Sequence, residues 1–168
     1  MFAGKRILFF VPRIGGGGAE RAMLLVAHSL AGSGCDVGLV GHLPGSGGYP
    51  IPQHPRLRHF SSTSSKSWAT FGPLREAVKE LRPEWVVSPF PGSVVFMTSV
   101  RRIIGLPGVV YWVQSSLPAQ IHRPGHIKHL LRSPIIRRAL NASGLVLGCS
   151  QDIFNHVVAE IVMGAHGP

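Results

Sequence analysis

Residues 6–30 read R-I-L-F-F-V-P-R-I-G-G-G-G-A-E-R-A-M-L-L-V-A-H-S-L, with four consecutive glycines between an apolar run and a helical pattern. The continuous apolar run at 7–11 predicts a strand that is buried on both faces. Beyond the glycines, apolar residues at 23, 26, 27 and 30 repeat with helical spacing, and Gly32 and Gly34 end the predicted helix. A second short strand is predicted at 37–40. The first forty residues therefore predict a β-α-β unit with parallel strands and a right-handed crossover.

The same alternation of strands and helices continues along the chain. Pro73 is predicted to open a helix that Pro83 closes, and residues 44–67, rich in Gly, Pro and Ser, are predicted to be an inserted surface loop with a short strand near 57–60. Further helices are predicted at 94–104, 127–131, 134–140 and 150–163, and further strands at 85–88, 109–113 and 145–149. We expect an α/β fold in one domain over residues 1–168, a Rossmann-like, doubly wound, mostly parallel sheet with helices on both faces.

Composition limits the classes of function. The chain has 45% hydrophobic and 14% charged residues and a net charge of +10, which favours a globular core and anionic partners such as sugar phosphates, acidic lipid surfaces or nucleic acid. Cys35 and Cys149 lie far apart and form no CxxC pair, so neither a disulfide framework nor a zinc site is indicated. No apolar run approaches the ~20 residues of a membrane span, and no signal peptide pattern opens the chain. We therefore expect a soluble, cytoplasmic protein.

Gly15, Gly16, Gly17 and Gly18 form the glycine loop, which leaves a predicted strand and enters a predicted helix. At such a place backbone N–H groups and the helix dipole can bind a phosphate, and missing Cβ atoms let it approach. A plain tight turn is the alternative, although one or two glycines would suffice for it. The dinucleotide fingerprint fails because its third glycine would fall on Glu20 or Arg21, and no Gly-Lys-Ser/Thr follows as in a P-loop. The pattern thus favours a phosphate ligand other than those of NAD enzymes and NTPases.

Five motifs, in the same order, resemble the N-terminal domain of family 4 glycosyltransferases, which have the two-domain GT-B architecture. The first is the Gly-Gly-Ala-Glu-Arg segment at 17–21, and the second is the helix that ends in glycine before the strand at 34–40. The others are L-R-E-A-V-K-E-L-R-P-E-W-V-V-S at 74–88, G-L-P-G-V-V-Y-W-V-Q-S-S at 105–116 and N-A-S-G-L-V-L-G-C-S-Q-D at 141–152. Each motif alone is weak, but five in order are fairly specific, and they span the chain except 44–67.

The resemblance implies that the donor is a nucleotide diphosphate sugar, usually of UDP or GDP, and that no metal or cofactor takes part. The glycine loop would lend N–H groups to the donor diphosphate, while this domain would hold a saccharide or lipid-linked acceptor. Catalysis would take place, with retention at the sugar carbon, in the cleft between this domain and a second, donor-binding domain. That second domain is absent from the 168 residues. We therefore expect the isolated chain to bind nucleotide very weakly and to transfer no sugar.

Gln114 stands where many members of that family carry a cleft histidine. Glutamine can hydrogen-bond a sugar hydroxyl but cannot exchange a proton near neutral pH, so we expect it to hold substrate. Glu20, Arg21 and Ser115 are further cleft candidates, although an acid in the first helical turn also simply suits the helix dipole. His122 is a candidate proton carrier, with an ordinary surface histidine as the alternative.

Residues 86–150 contain no Asp or Glu and carry a series of Arg, Lys and His side chains, here called the basic segment. A solvated surface is one interpretation. Another is attraction to anionic lipid at the inner face of the membrane, where each Lys or Arg adds ~1 kcal/mol. Nucleic acid is less favoured, since no DNA- or RNA-binding motif appears. The basic segment supports an alternative function, a non-catalytic anion-binding module for lipid surfaces or nucleic acid.

His122, His126 and His129 would align on a helix, as metal ligands do. Pro124 and Gly125 interrupt that helix, and the surrounding positive charge would repel a cation. We therefore predict no metal site.

Overall fold

A computed structural model describes residues 3–43, 48–64, 66–114, 138, 141–151 and 155. These residues form strands and α-helices in alternation, with one short 3₁₀ turn. In chain order they are β1 (Arg6–Arg13), α1 (Gly18–Gly32), β2 (Asp36–His42), β3 (Leu57–Ser61), the 3₁₀ turn (Ser67–Thr70), α2 (Phe71–Leu81), β4 (Trp85–Ser88), α3 (Pro91–Ile104), β5 (Gly108–Val113) and β6 (Leu145–Gly148).

The strands lie side by side in the order β3-β2-β1-β4-β5-β6, and every neighbouring pair in the described sheet is parallel. From β1 the chain moves outward in one direction through β2 and β3. It then returns and moves outward in the other direction through β4, β5 and β6. This is the doubly wound, Rossmann-like arrangement that the sequence predicts, and it places the reversal of strand order between β1 and β4.

β1 is buried on both faces, as its continuous apolar run predicts. Leu8 and Phe10 belong to the core that α2 and α3 cover, while Phe9 and Val11 belong to the core under α1. None of these four side chains is more than 1% exposed. Full burial of one such side chain contributes about 1.5–3 kcal/mol to folding. Helices therefore cover both faces of the central strand, and this packing fixes the position of its carboxyl end.

The predicted elements are found, with some shifted ends. β4 occupies the predicted residues, and the short strand expected near 57–60 is β3. α2 begins at Phe71, earlier than predicted, because Pro73 occupies the third helical position and not the first. α3 begins at Pro91, also earlier than predicted, because the apolar periodicity used to find it starts only inside the helix. Pro91 suits the first helical position, since its φ is preset and its missing N–H would have no helical partner. The helices predicted at 127–131, 134–140 and 150–163 lie largely outside the described residues.

An apolar groove of about 310 Å³ runs across the α1 side of β4, β5 and β6. Trp85, Leu145 and Leu147 line it and are 43%, 45% and 42% exposed. The described lining carries no charged group and no hydroxyl. The groove therefore lacks the groups that would orient a phosphate or a sugar. The carboxyl ends of the strands are a better place to look for the functional site.

β2 approaches β1 closely at Gly41. A Cβ atom at this position would overlap the carbonyl oxygen of Val11 and press against the side chain of Ile14. The Val11 oxygen belongs to the backbone of a paired strand, so it cannot rotate away as a side chain could. Gly41 thus keeps β2 beside β1 up to the start of the glycine loop.

We expect Gly41→Ala to lower the free energy of unfolding by about 1–3 kcal/mol, the usual cost of overpacking. Gly72→Ala is the matched control, because a Cβ on Gly72 in α2 meets nothing within 4 Å. Alanine also favours a helix over glycine, so the control should be neutral or slightly stabilising. Urea denaturation measures all three proteins, and equal stability of Gly41→Ala and the wild type would contradict the close approach.

His59 on β3 is half-buried, and its Nε2 lies 3.1 Å from the carbonyl oxygen of Gly41. Burial lowers the pKa of the ring below its usual 6.5, and the hydrogen bond to Gly41 opposes this only in part. The folded state therefore binds the proton less readily than the unfolded chain does. As the pH falls below 6.5, the ring takes up a proton in the unfolded chain before it does so in the folded protein. The free energy of unfolding therefore falls with the pH, and it stops falling once the pH is below the folded-state pKa.

His59→Gln should remove this contribution. We expect the free energy of unfolding of the variant, relative to the wild type, to rise as the pH is lowered from about 7 to about 5. Urea titrations at both pH values give the two differences. If the variant and the wild type differ by the same free energy of unfolding at the two pH values, His59 does not titrate differently in the folded and unfolded states.

Candidate functional site

The glycine loop lies where the strand order reverses. It leaves the carboxyl end of β1, which pairs with β2 on one side and β4 on the other. In open parallel sheets the crevice at such a reversal is the usual ligand site, because the loops on its two sides turn to opposite faces. α1 and α3 both begin at this edge, so two helix N-termini with partial positive charge border the crevice.

Three contacts hold the glycine loop. Before it, the N–H of Ile14 donates to the carbonyl oxygen of His42 at 2.9 Å. At its middle, the hydroxyl of Tyr49 donates to the carbonyl oxygen of Gly16 at 3.1 Å. Towards its end, Gly17 is the N-cap of α1, and its carbonyl oxygen accepts the N–H of Arg21 at 3.1 Å. The loop is thus joined to β2, to the segment that follows β2 and to α1.

None of the four glycines has a positive φ, so the shape of the loop does not itself require glycine. Gly34 differs from them, because its φ of +89° lies in the left-handed region that favours glycine. Gly16 and Gly18 are exposed, and a Cβ on Gly18 would meet nothing within 4 Å. An alanine would fit at Gly18 and would favour the helix. What Gly16 and Gly18 supply is exposed backbone without a side chain, rather than a turn that only glycine could make.

Arg13 lies beside the loop and was not predicted as a site residue. Gly15 is buried, and a Cβ atom on it would lie 3.4 Å from Nε of the exposed Arg13 side chain. A guanidinium next to exposed N–H groups adds positive charge to the site. The sequence signal was available, since Arg13 is a charged residue between an apolar run and the four glycines.

Glu20 folds back onto the glycine loop. Its carboxylate lies so close to Gly17 that a Cβ atom on Gly17 would overlap it. A carboxylate in the first turn interacts favourably with the helix dipole, by about 0.3–1 kcal/mol. Arg21 is exposed, and its backbone N–H donates to the Gly17 carbonyl at 3.1 Å. The loop therefore already carries one negative group, which a bound phosphate would have to displace.

Gln114 follows β5 at the same edge of the sheet. The residue is half-buried, and its Nε2 is buried without a hydrogen-bond partner among the described residues. The exposed thiol of Cys149, which follows β6, lies 3.6 Å from the Gln114 carbonyl oxygen. A buried donor without a partner costs about 1–3 kcal/mol. An acceptor atom brought by a ligand would recover that cost, which suits a residue that holds a substrate.

Ser88 also carries a buried polar group without a partner, and it was not predicted as a site residue. It ends β4, is fully buried and makes no side-chain hydrogen bond among the described residues. It pairs in register with Tyr111, whose pKa burial raises to about 12. Val86 faces the core under α2 and α3, and strand alternation puts Ser88 on that same side. Since that is the face away from α1, we assign Ser88 no ligand.

Ser115 and His122 lie outside the described residues, as do His126, His129 and much of the basic segment. Their roles stay predictions. Within the described part of the chain, no three His, Cys, Asp or Glu side chains group as metal ligands do. No helix in that part has the length and hydrophobicity needed to cross a membrane.

Solved structures share this fold at low sequence identity. The lipopolysaccharide outer core galactosyltransferase WaaB matches with a TM-score of 0.55 and 17% identity, over 92% of this chain and 42% of WaaB. Sucrose-phosphate synthase from Thermosynechococcus elongatus matches with a TM-score of 0.61 and 12% identity, over 84% of this chain and 41% of the synthase. HepE of Anabaena, solved in complex with UDP, matches with a TM-score of 0.60 and 18% identity, over 95% of this chain and 41% of HepE.

These matches confirm the Rossmann-like α/β fold and show that glycosyltransferases share it. The chain spans about two fifths of the length of each of these proteins. No protein-family model matches the sequence, and a search of curated proteins finds no significant match. Membership of family 4 and the type of glycine loop stay predictions.

Glu20→Gln should bind inorganic pyrophosphate more tightly than the wild type. The wild type must give up the interaction of Glu20 with the helix dipole, about 0.3–1 kcal/mol, before the phosphate binds, so the variant should have a Kd about twofold to fivefold lower. The same change should lower the free energy of unfolding by about 0.3–1 kcal/mol, because the interaction with the helix dipole is lost. Calorimetric titration and urea denaturation measure the two effects. The control is Glu76→Gln on the exposed side of α2, and equal pyrophosphate affinity in all three proteins would contradict this placement of Glu20.

Proposed function

We propose that this chain is the acceptor-side half of a glycosyltransferase that moves a sugar from a nucleotide diphosphate sugar to a saccharide or lipid-linked acceptor. The glycine loop carries the proposal, because its backbone has no side chains, is exposed at Gly16 and Gly18, and lies at the reversal of strand order. The shared fold supports it, since one of the matching proteins is a galactosyltransferase and another was solved with UDP and glucose.

The glycine loop would act on the leaving diphosphate. When the bond between the anomeric carbon and the diphosphate breaks, negative charge grows on the phosphate oxygens. The N–H groups of Gly16, Gly17 and Gly18, the positive end of α1 and the guanidinium of Arg13 would stabilise that charge. Interactions that strengthen as charge develops lower the barrier rather than only tightening binding.

Glu20 would leave the loop when the donor binds. Its carboxylate lies against Gly17, and two negative groups at one helix N-terminus repel each other. In the free domain, the Glu20 side chain would therefore stabilise the fold and oppose donor binding. Arg21, the next residue in the chain, is exposed. It remains a candidate to pair with the Glu20 carboxylate or with the donor diphosphate.

Gln114 would hold a sugar hydroxyl. Its amide nitrogen lacks a partner in the described structure and lies at the carboxyl edge, two strands from β1. The amide has no proton to exchange near neutral pH, so this role is positioning and not acid–base chemistry. Ser115 remains a candidate neighbour in the same role.

The rest of the donor site would come from a second domain, as the resemblance to family 4 implies. Contacts to the base, the ribose and much of the sugar would lie there, so this half alone names neither the nucleotide nor the hexose. The reaction would use the nucleotide sugar as its donor substrate and no cofactor. A lipid-linked acceptor would fit a cytoplasmic enzyme held at the inner face of the membrane by the basic segment.

The net charge of +10 favours one other function, a non-catalytic module that binds anionic lipid or nucleic acid. Its binding to acidic liposomes or duplex DNA would weaken steeply as salt is raised. It would leave without a use both the glycine loop and the Gln114 amide, which has no partner among the described residues, so we place it second.

Gln114→Met should be more stable than the wild type. Methionine keeps the length of the side chain and removes a buried donor without a partner, so we expect a gain of about 1 kcal/mol in the free energy of unfolding. Gln53→Met is the control, because Gln53 is exposed and should change stability little. Urea denaturation measures both. A loss of stability in Gln114→Met would mean that the amide serves the fold and not a ligand.

The proposal is tested most simply on the native protein. An antibody to this domain should detect, on a denaturing gel of its own cell, a species of roughly twice 18.1 kDa, as a second domain of ordinary size requires. That protein should release nucleoside diphosphate when given its sugar donor and acceptor, whereas the 168-residue chain should not. A native species of 18.1 kDa, or sugar transfer by the 168-residue chain, would contradict the proposal.

A further inference from the structure

Tyr49 joins the glycine loop from a distant part of the sequence. It lies between β2 and β3, in the segment that the sequence marks only as an inserted surface loop. Its hydroxyl donates to the carbonyl oxygen of Gly16 at 3.1 Å. The ring packs against the core under α1. The phenol is therefore held at its ring end by the core and at its hydroxyl end by the glycine loop.

Fixing the Gly16 carbonyl also fixes the N–H of Gly17. The two groups belong to one planar trans peptide and point in opposite directions. With the carbonyl turned towards Tyr49, the Gly17 N–H is turned away from it. One hydrogen bond thus decides the direction of a donor at the N-cap of α1.

The glycine loop needs such an anchor because it lacks side chains of its own. Four glycines have more backbone freedom than any other four residues, and ordering each costs free energy. If that cost fell on ligand binding, the affinity for a diphosphate would drop. A contact made before the ligand arrives moves the cost to folding, which is what preorganisation means for a binding site.

We propose that Tyr49 is a positioning residue of the diphosphate site. Its hydroxyl holds the Gly16–Gly17 peptide so that the Gly17 N–H faces a nucleoside diphosphate. Tyr49, although it lies in the predicted surface loop, then belongs to the site. This inference rests on the proposed function of the glycine loop, and it adds a residue for which neither the motifs nor the resemblance gave any signal.

The test compares Tyr49→Phe with Tyr111→Phe in the 168-residue chain. Both changes remove one phenol oxygen, and the sequence has no other tyrosine. Tyr111 lies in the core that α2 and α3 cover, away from the glycine loop. Inorganic pyrophosphate is the probe, and backbone amide NMR follows Gly16, Gly17 and Gly18 during the titration. Thermal melting of each variant separates a loss of site geometry from a loss of fold.

We expect the wild type and Tyr111→Phe to show the same saturable shifts of the loop amides. Tyr49→Phe should bind pyrophosphate about threefold to tenfold more weakly, the range of one net hydrogen bond. Its Gly17 amide should already differ from the wild type without ligand, at a nearly unchanged melting temperature. A merely structural tyrosine would lower the melting temperature and leave the affinity of the folded protein as it was.

Two other results have distinct meanings. Wild-type affinity and an unshifted Gly17 amide in Tyr49→Phe would overturn the role of Tyr49 and leave the diphosphate site standing. If pyrophosphate shifts none of the loop amides in the wild type, both the role of Tyr49 and the proposed use of the glycine loop are wrong.

Discussion

Burial of β1 on both faces is the constraint on which the rest of the structure depends. Phe9 and Val11 pack under α1, while Leu8 and Phe10 pack under α2 and α3, so β1 cannot slide or rotate without opening a core. Its pairing with β2 and β4 fixes it from the sides. The glycine loop therefore starts from an immobile point at the centre of the sheet, and a site built on a rigid element can hold bare backbone in one geometry.

The sequence alone could predict the frame of this fold and the place of the site. An apolar run, four glycines and a helical period are local signals, and parallel pairing follows from their order. The start of α2 was placed too late because Pro73 was taken as its first residue, and that of α3 because Pro91 and Gly92 carry no apolar period. The contact between Tyr49 and Gly16 spans 33 residues and depends on where two loops meet in space, which no local pattern encodes. The folding back of Glu20 onto Gly17 is a side-chain conformation, and the sequence allowed a solvated carboxylate equally well.

Several features of the carboxyl edge cost stability without serving the fold. An alanine would fit at Gly18, and the amide of Gln114 is buried without a partner in the described structure. Proteins are selected to stay above a stability threshold, so such costs persist where activity needs them. These costs fall on the glycine loop and on the residue after β5, both at the carboxyl edge of the sheet. The apolar groove on the α1 side of β4, β5 and β6 has exposed tryptophan and leucine side chains but none of these polar features, and it fits a packing surface better than a polar ligand site.

The measurement that bears most directly on this account is a crystal structure of the chain soaked with UDP. The account predicts the diphosphate at the carboxyl end of β1, with phosphate oxygens about 2.7–3.2 Å from the backbone nitrogens of the glycine loop. It also predicts that the Glu20 carboxylate has moved away from Gly17. A diphosphate bound elsewhere, with Glu20 still folded onto an empty loop, would contradict the central claim that the bare backbone of this loop exists to bind it.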